Sequence, residues 1–224
     1  MLAVIGCAAL SGFARAAEGG PTEPGAPGAL PAAASDGRPD AGWVADTARA
    51  TDVPARALEA YARADLTLAA AEPGCGLRWA LLVGVGSVES GHGTYGGSAV
   101  HDDGLAHPPI LGPALDGRPG FASIPASPAS TAMHGDPVWD HAVGPLQFLP
   151  STWDRWGSDG DGDGDRDPHD LDDAALAAGR YLCASGGDLT TDDGLRRALL
   201  AYNRSVEYGE LVRARASAAA KAAD

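Results

Sequence analysis

Between Trp79 and Gly91 the chain runs W-A-L-L-V-G-V-G-S-V-E-S-G, and Glu89 is its single charged side chain. Leu77, Leu81, Leu82, Val85 and Val88 leave almost no polar face, so a helix over this stretch is buried on most sides. Gly91 and Gly93 follow, residues that accept the left-handed backbone found just past a helix end. Glu89 therefore falls near the C-terminal end of a buried helix. Desolvation and the negative end of the helix dipole both disfavour its ionised form there. A carboxyl kept protonated near neutral pH is what a general acid requires. The plainer alternative is a buried Glu tied to an arginine.

The 224 residues are enough for one domain with a sizeable core plus tails. Asp and Glu number 30 against 16 Lys and Arg, a net charge of −14. Such a chain has little with which to neutralise phosphates, which argues against nucleic acid and against an anionic membrane surface as partner. Much of the acidity is local, packed into residues 154–173.

Residues 1–17 read as the apolar core of a secretory signal, with Ala14-Arg15-Ala16 as a small-x-small cleavage site. The basic stretch that normally precedes such a core is missing, so a truncated membrane anchor is the alternative, and Val4-Ile5-Gly6-Cys7 resembles a lipoprotein-processing box. The apolar run is too short to span a bilayer alone. A secreted or cell-envelope location is expected. Once Cys7 leaves with the signal, Cys75 and Cys183 remain, an even pair in an oxidising compartment. Each lies at the edge of a predicted helix, so one disulfide would staple the Glu89 helix to the later helical part; two buried free thiols are the other reading.

Residues 18–42 are rich in Gly, Pro and Ala without apolar period and read as linker. Asp52-Val53-Pro54 opens a helix whose stripe of Ala57, Leu58, Tyr61, Ala62 and Leu68 runs to about residue 70. Residues 94–140 are Gly-, Pro-, Ser- and His-rich, and too long for an idle connection. They predict an irregular excursion forming one wall of a cleft. His101, His107, His134 and His141 fit no zinc spacing and are expected to be exposed loop residues. Gly144-Pro145-Leu146-Gln147-Phe148-Leu149-Pro150 is a stiff, shaped loop running into a short helix, and Gln147 with Phe148 is a polar-plus-flat pair suited to sugar.

Asp159 to Asp170 reads D-G-D-G-D-G-D-R-D-P-H-D. Against the twelve-residue calcium loop, Asp159, Asp161 and Asp163 take positions one, three and five. Gly164 falls at the sharp turn, Asp165 offers a backbone carbonyl at seven, and Asp170 stands at twelve. So many carboxylates repel one another without a cation, and Ca2+ would relieve that. Arg166 at position eight and the short Asp170 depart from the paired EF-hand pattern, and the chain has no second loop, which predicts a solitary structural site. Downstream, Asp172–Ala184 reads as a helix, Thr190-x-x-Asp193 as a capping box for another ending at Ala201-Tyr202-Asn203, and Ser205 as the cap of a last one. Residues 43–215 make the domain and 216–224 an Ala-rich tail.

In that order, V-E-S-G-H-G, G-P-L-Q-F-L-P-S-T-W and A-Y-N resemble the lytic murein transglycosylases, most closely the B-type membrane-bound enzymes and their actinobacterial secreted relatives, from about Val44 to Val212. The resemblance implies a mainly α, goose-lysozyme-like fold with a long irregular cleft-forming loop region and one EF-hand-like calcium loop. It implies cleavage of the MurNAc–GlcNAc bond of peptidoglycan glycan strands to a 1,6-anhydromuramyl end. It makes Glu89 the sole acid/base, with Ser90, Gln147, Phe148, Tyr202 and Asn203 at the substrate, Tyr202 supporting the carboxyl. Some relatives carry a hydroxyl upstream of the Gln motif; this chain has Val138 and Asp140 there, and Asp140 is taken as the substitute. No cofactor is expected for the chemistry, and a monomer working beside other cell-wall proteins is expected. The rival readings are a hydrolytic lysozyme on the same fold, using Asp140, Asp102 or Asp103 as base, and a non-catalytic, calcium-dependent wall-binding module.

Overall fold

A computed structural model describes residues 33–34 and 38–224. The expected signal segment and most of the expected linker lie outside the described residues. Among the described residues the chain forms eight α-helices and one two-stranded sheet. The helices are α1 (Ala41–Thr51), α2 (Ala55–Ala71), α3 (Trp79–Ser90), α4 (Pro128–His134), α5 (Pro150–Trp156), α6 (Leu171–Gly186), α7 (Asp192–Tyr202) and α8 (Val206–Ala223). Strands β1 (Ala99–Val100) and β2 (Ala106–His107) pair antiparallel. No helix among the described residues is long and apolar enough to cross a membrane.

Helix α3 is the axis of the core. Trp79 to Gly86 are buried without a break. Its N-terminus has no capping side chain of its own. Instead Asp65, fully buried on α2, accepts the Trp79 N–H at 2.7 Å and supplies the negative charge that a helix start favours. At the other end Gly91 takes the left-handed conformation (φ 61°) and ends the helix, as its sequence predicts. The two inner glycines serve close approach. A Cβ on Gly84 would lie 2.5 Å from the Val212 carbonyl of α8, and one on Gly86 would lie 2.0 Å from the Tyr61 hydroxyl of α2. Both neighbours sit against bare backbone, which is why V-G-V-G interrupts an otherwise bulky run.

The opposite side of the core is α6, where Ala174, Ala175, Ala177 and Ala178 are fully buried against α2. Asp172 at its start is buried between Arg56 and Arg63 of α2. Cys75 and Cys183 form a disulfide that ties the segment before α3 to α6. The thiols are thus paired.

Several expectations change here. Helix α1 starts at Ala41, inside the stretch read as linker; the left-handed Asp52 and the restriction that Pro54 places on Val53 separate it from α2. The excursion over 94–140 contains helix α4, held by a reciprocal Ser127–Ser130 capping box. Much of the remainder is zipped by backbone hydrogen bonds, among them Ile124 N–H to Leu115 O, Asp140 N–H to Ile124 O and Gly112 N–H to Ala142 O. The cap of α7 is Thr191, whose hydroxyl accepts the Gly194 N–H, while Thr190 turns to Asp188. The residues read as an Ala-rich tail continue α8 to Ala223, with Ala219 and Ala220 buried in the core.

Two of the four histidines are not exposed. The His134 side chain is wholly buried, with Nε2 2.9 Å from Asp140 Oδ1. Its Nδ1 accepts the Asp136 N–H, so Nε2 carries the proton. His141 lies between the Gly112 carbonyl (2.7 Å) and Asp136 Oδ2 (3.1 Å). These contacts fasten the irregular wall to the strand-like segment that enters the Gly-Pro turn. His101 and His107 are exposed, as expected.

Candidate active site

Glu89 occupies the last turn of α3 and is partly accessible, between the buried run behind it and the turn ahead. Its Oε1 accepts a hydrogen bond of 2.7 Å from the Tyr208 hydroxyl. Burial pushes its carboxyl up to about 7, and the Tyr208 bond, which favours the ionised form, offsets only part of that. No arginine or lysine among the described residues pairs with it, so the buried Glu–Arg alternative does not hold.

Tyr208 was not singled out by sequence. It sits in the first turn of α8, and a short relay places it there. Asn203 Oδ1 accepts the Ser205 N–H, and Ser205 Oγ accepts the Tyr208 N–H as the helix cap. The expected partner, Tyr202, instead donates to the Leu146 carbonyl at 2.9 Å. Its ring stacks on Tyr208 at 6.4 Å with planes 5° apart, and burial followed by the Glu89 charge raises its hydroxyl well above the ordinary range. Tyr202 therefore holds the Gly-Pro turn and backs Tyr208; the direct bond to the carboxyl is Tyr208's.

The other expected substrate groups divide. Ser90 is buried: its hydroxyl donates to the Pro145 carbonyl at 2.5 Å and accepts the Gly93 N–H at 2.7 Å. It fastens α3 to the Gly-Pro turn and has no face for a sugar. Phe148 is also buried, edge-on to Trp153 at 5.3 Å and Tyr202 at 6.0 Å, and belongs to the core. Asn203 is buried in its capping role and Asp140 is buried against His134. Gln147 alone keeps a partly exposed side chain. It adopts a left-handed backbone (φ 50°), its Nε2 donates to the Gly144 carbonyl, and its carboxamide lies beside Gly112.

His92, within the E-S-G-H-G motif, is a further group next to the site. Its Nδ1 is 3.2 Å from the buried Tyr61 hydroxyl, and burial, with Arg215 nearby, lowers it to about 4. It is neutral at pH 7, so the tyrosine donates and Nδ1 accepts.

In the acidic loop two of the expected carboxylates, Asp159 and Asp161, are joined by Asp173. Asp159, Asp161 and Asp173 bring carboxylate oxygens within 4.8 Å of one another. Asp170 instead caps α6, accepting the N–H groups of Asp172 and Asp173. Asp163 is exposed and accepts the Asp165 N–H. Asp173 stands three places beyond the twelve-residue template, outside the reach of that spacing. Its carboxyl is pushed up to about 7 by burial, with the Asp170 and Asp161 charges adding.

The three motif regions are therefore joined by Ser90 to Pro145, Tyr202 to Leu146 and Tyr208 to Glu89. Residues 129–192 match the family described as Transglycosylase SLT domain. The match holds the Gly-Pro-Leu-Gln-Phe turn and the acidic loop, and it includes neither Glu89 nor Tyr202. Among solved structures the chain is similar to the Escherichia coli lytic transglycosylase Slt35 in complex with bulgecin A, at 15% identity and a TM-score of 0.49, over 81% of this chain and 78% of that one. No curated protein matches the chain.

Proposed function

We propose that the chain is a lytic transglycosylase of peptidoglycan on a lysozyme-like helical fold, with Glu89 as its single acid/base. Glu89, protonated, gives its proton to the oxygen of the MurNAc–GlcNAc bond as that bond breaks. The resulting carboxylate then takes the proton of the muramic acid 6-hydroxyl while that oxygen bonds to C1. The product is a 1,6-anhydromuramyl end, no water is consumed, and Glu89 regains its starting state. One observation carries this reading: a lone carboxyl raised to about 7, without a cation beside it, hydrogen-bonded through Tyr208 to the turn after A-Y-N and adjoining Ser90, which grips the Gly-Pro turn.

The hydrolytic alternative needs a second carboxylate across the bond. Asp140 is committed to His134, and Asp102 and Asp103 stand in one exposed turn, where the Asp103 carboxylate accepts the Leu105 N–H, which favours the one-carboxyl route. Mass spectrometry of fragments released from purified peptidoglycan decides between them. Anhydro ends are expected; reducing ends, heavier by one water, would reject the transglycosylase. Glu89→Gln should lower release by about a thousandfold, and a wall-binding module without catalysis would release nothing in either form.

Calcium in the acidic loop belongs to the same proposal. The donors are hard carboxylate oxygens, the class that calcium takes, and Asp173 would stand where Asp170 was expected. The ion would brace the loop between α5 and α6 and supply no step of the chemistry. Export rests on residues 1–17, and sequencing the N-terminus of the mature protein tests it.

A further inference from the structure

Tyr208 is the inner end of a row of rings. From it the row passes to Tyr202 at 6.4 Å, to Tyr181 at 5.7 Å and to Trp156 at 5.6 Å, each step about the width of a sugar ring. Tyr202, Tyr181 and Trp156 are all partly accessible. The Tyr181 hydroxyl is anchored on the Ala201 carbonyl, which fixes the middle of the row to the end of α7.

The outer end is cationic, in a chain whose net charge is −14. Arg155 from α5 lies over the Trp156 ring at 5.2 Å. Burial raises the Tyr181 hydroxyl, and Arg204, from the turn between α7 and α8, together with Arg155 offsets part of that, which sets both guanidinium groups near this ring. Arg180, next to Tyr181, donates to Ser158. All three are exposed, and none pairs with a carboxylate among the described residues. The other arginines divide: Arg78 pairs with Asp65, Arg196 with Asp193 and Arg213 with Asp192, while Arg166 and Arg197 bond backbone carbonyls; what sets Arg155 apart is the aromatic row beside it. Asp154, beside Arg155 in sequence, makes no ion pair with it.

Arginines left unpaired on an acidic protein, over aromatic rings that lead to the reacting carboxyl, are suited to a ligand whose apolar faces and anionic groups alternate. A bare glycan lacks peptide carboxylates. Peptidoglycan strands carry them on the short peptides attached to each muramic acid.

We propose that Arg155 and Arg204 bind carboxylates of the wall peptides, so that the chain prefers peptide-bearing glycan with free carboxyl groups. This inference rests on the peptidoglycan-cleaving reading above. The test compares purified wall with the same wall after its carboxyl groups are capped as methylamides, using the full chain and an Arg155→Gln/Arg204→Gln double variant. On native wall the double variant should release fragments about tenfold more slowly than wild type, the size of two exposed charge contacts, and raising the salt should narrow the gap. On capped wall the two proteins should act at the same reduced rate. Equal rates of wild type on native and capped wall would overturn the proposal, as would a double variant indistinguishable from wild type on native wall. Cosedimentation with native wall, in a Glu89→Gln background, reads the same contacts without turnover: the two Arg changes should weaken binding, and unchanged binding would also overturn it. A wild-type chain that binds wall through these arginines yet cleaves neither substrate would reject the catalytic reading and leave the recognition surface standing.

Discussion

Glu89 and Asp173 have carboxyls pushed up to about the same value, near 7, in two regions built on opposite principles. Around Glu89 the surroundings are helix, aromatic rings and one hydroxyl. Around Asp173 they are other carboxylates and two backbone donors, the N–H groups of Gly160 and Asp167. In the first region burial favours the protonated carboxyl, because no cationic side chain among the described residues pairs with it. In the second, burial brings acids together whose mutual repulsion a cation would relieve. A raised carboxyl therefore marks chemistry only when its neighbours supply neither a counter-charge nor a place for one. Asp65 makes the same point: burial lifts it to about 6, yet it serves the N-terminus of α3, with Arg78 nearby.

The comparison is broken most directly with calcium. Saturation a hundredfold above Kd should add about 2.7 kcal/mol to stability, and a chelator should remove it, read as a shift in Tm. Asp173→Asn should abolish the response, whereas Asp170→Asn should keep it at a lower baseline because the α6 cap is weakened. A response lost with Asp170 and kept with Asp173 would restore the twelve-residue reading. Calcium should also leave the pH dependence of fragment release unchanged, since the loop supplies no proton.

Stability against pH gives the next largest effect. The folded Glu89 carboxyl sits near 7, above the value of about 4.5 for an unperturbed glutamate. The folded state therefore holds a proton that the unfolded chain has released between those values. Its contribution is complete below pH 4.5 and is lost as pH rises through 7. Glu89→Gln removes this loss. The variant should gain about 1–3 kcal/mol over wild type on going from pH 5 to pH 8, measured by denaturant unfolding at each pH. Parallel curves would mean that the carboxyl is solvated and that the contrast with Asp173 fails.

How much of this was legible in sequence follows from which forces act along the chain and which act across it. Helix α3, its glycine stop and the position of Glu89 are written in composition over one short stretch, where burial and helix period speak together. The disulfide partners were legible because Cys75 and Cys183 are the two cysteines that remain once Cys7 is set apart with the segment read as a signal. Orientation was not. Ser90, Phe148 and Asn203 stand in motifs that face the site, yet each side chain turns inward, because a hydroxyl, a ring and an amide were needed to join α3, the Gly-Pro turn and α8. Tyr208 was missed for the converse reason: nothing in the spacing of α8 distinguishes a core tyrosine from one whose hydroxyl meets a carboxyl across the fold. Asp173 escaped a template of fixed length, and His134 and His141 looked like loop histidines until their aspartates, close in sequence, were seen to fold over them.

The smallest effect probes the Glu89 side from within. Tyr208 donates to Glu89 and so favours its ionised form, while its ring is backed by Tyr202. Tyr208→Phe keeps the ring and removes the donor. The carboxyl should then rise further, and the alkaline limb of the pH–rate profile, set near 7 in wild type, should move upward. Because the hydroxyl also fixes the carboxyl in direction, release at the pH optimum should fall about tenfold, the worth of one hydrogen bond to a charged group. Tyr202→Phe should behave differently: it frees the Leu146 carbonyl and loosens the Gly-Pro turn, raising KM more than it moves the limb. A limb that moves with Tyr202 and stays fixed with Tyr208 would reverse their roles and return the support of the carboxyl to the A-Y-N tyrosine.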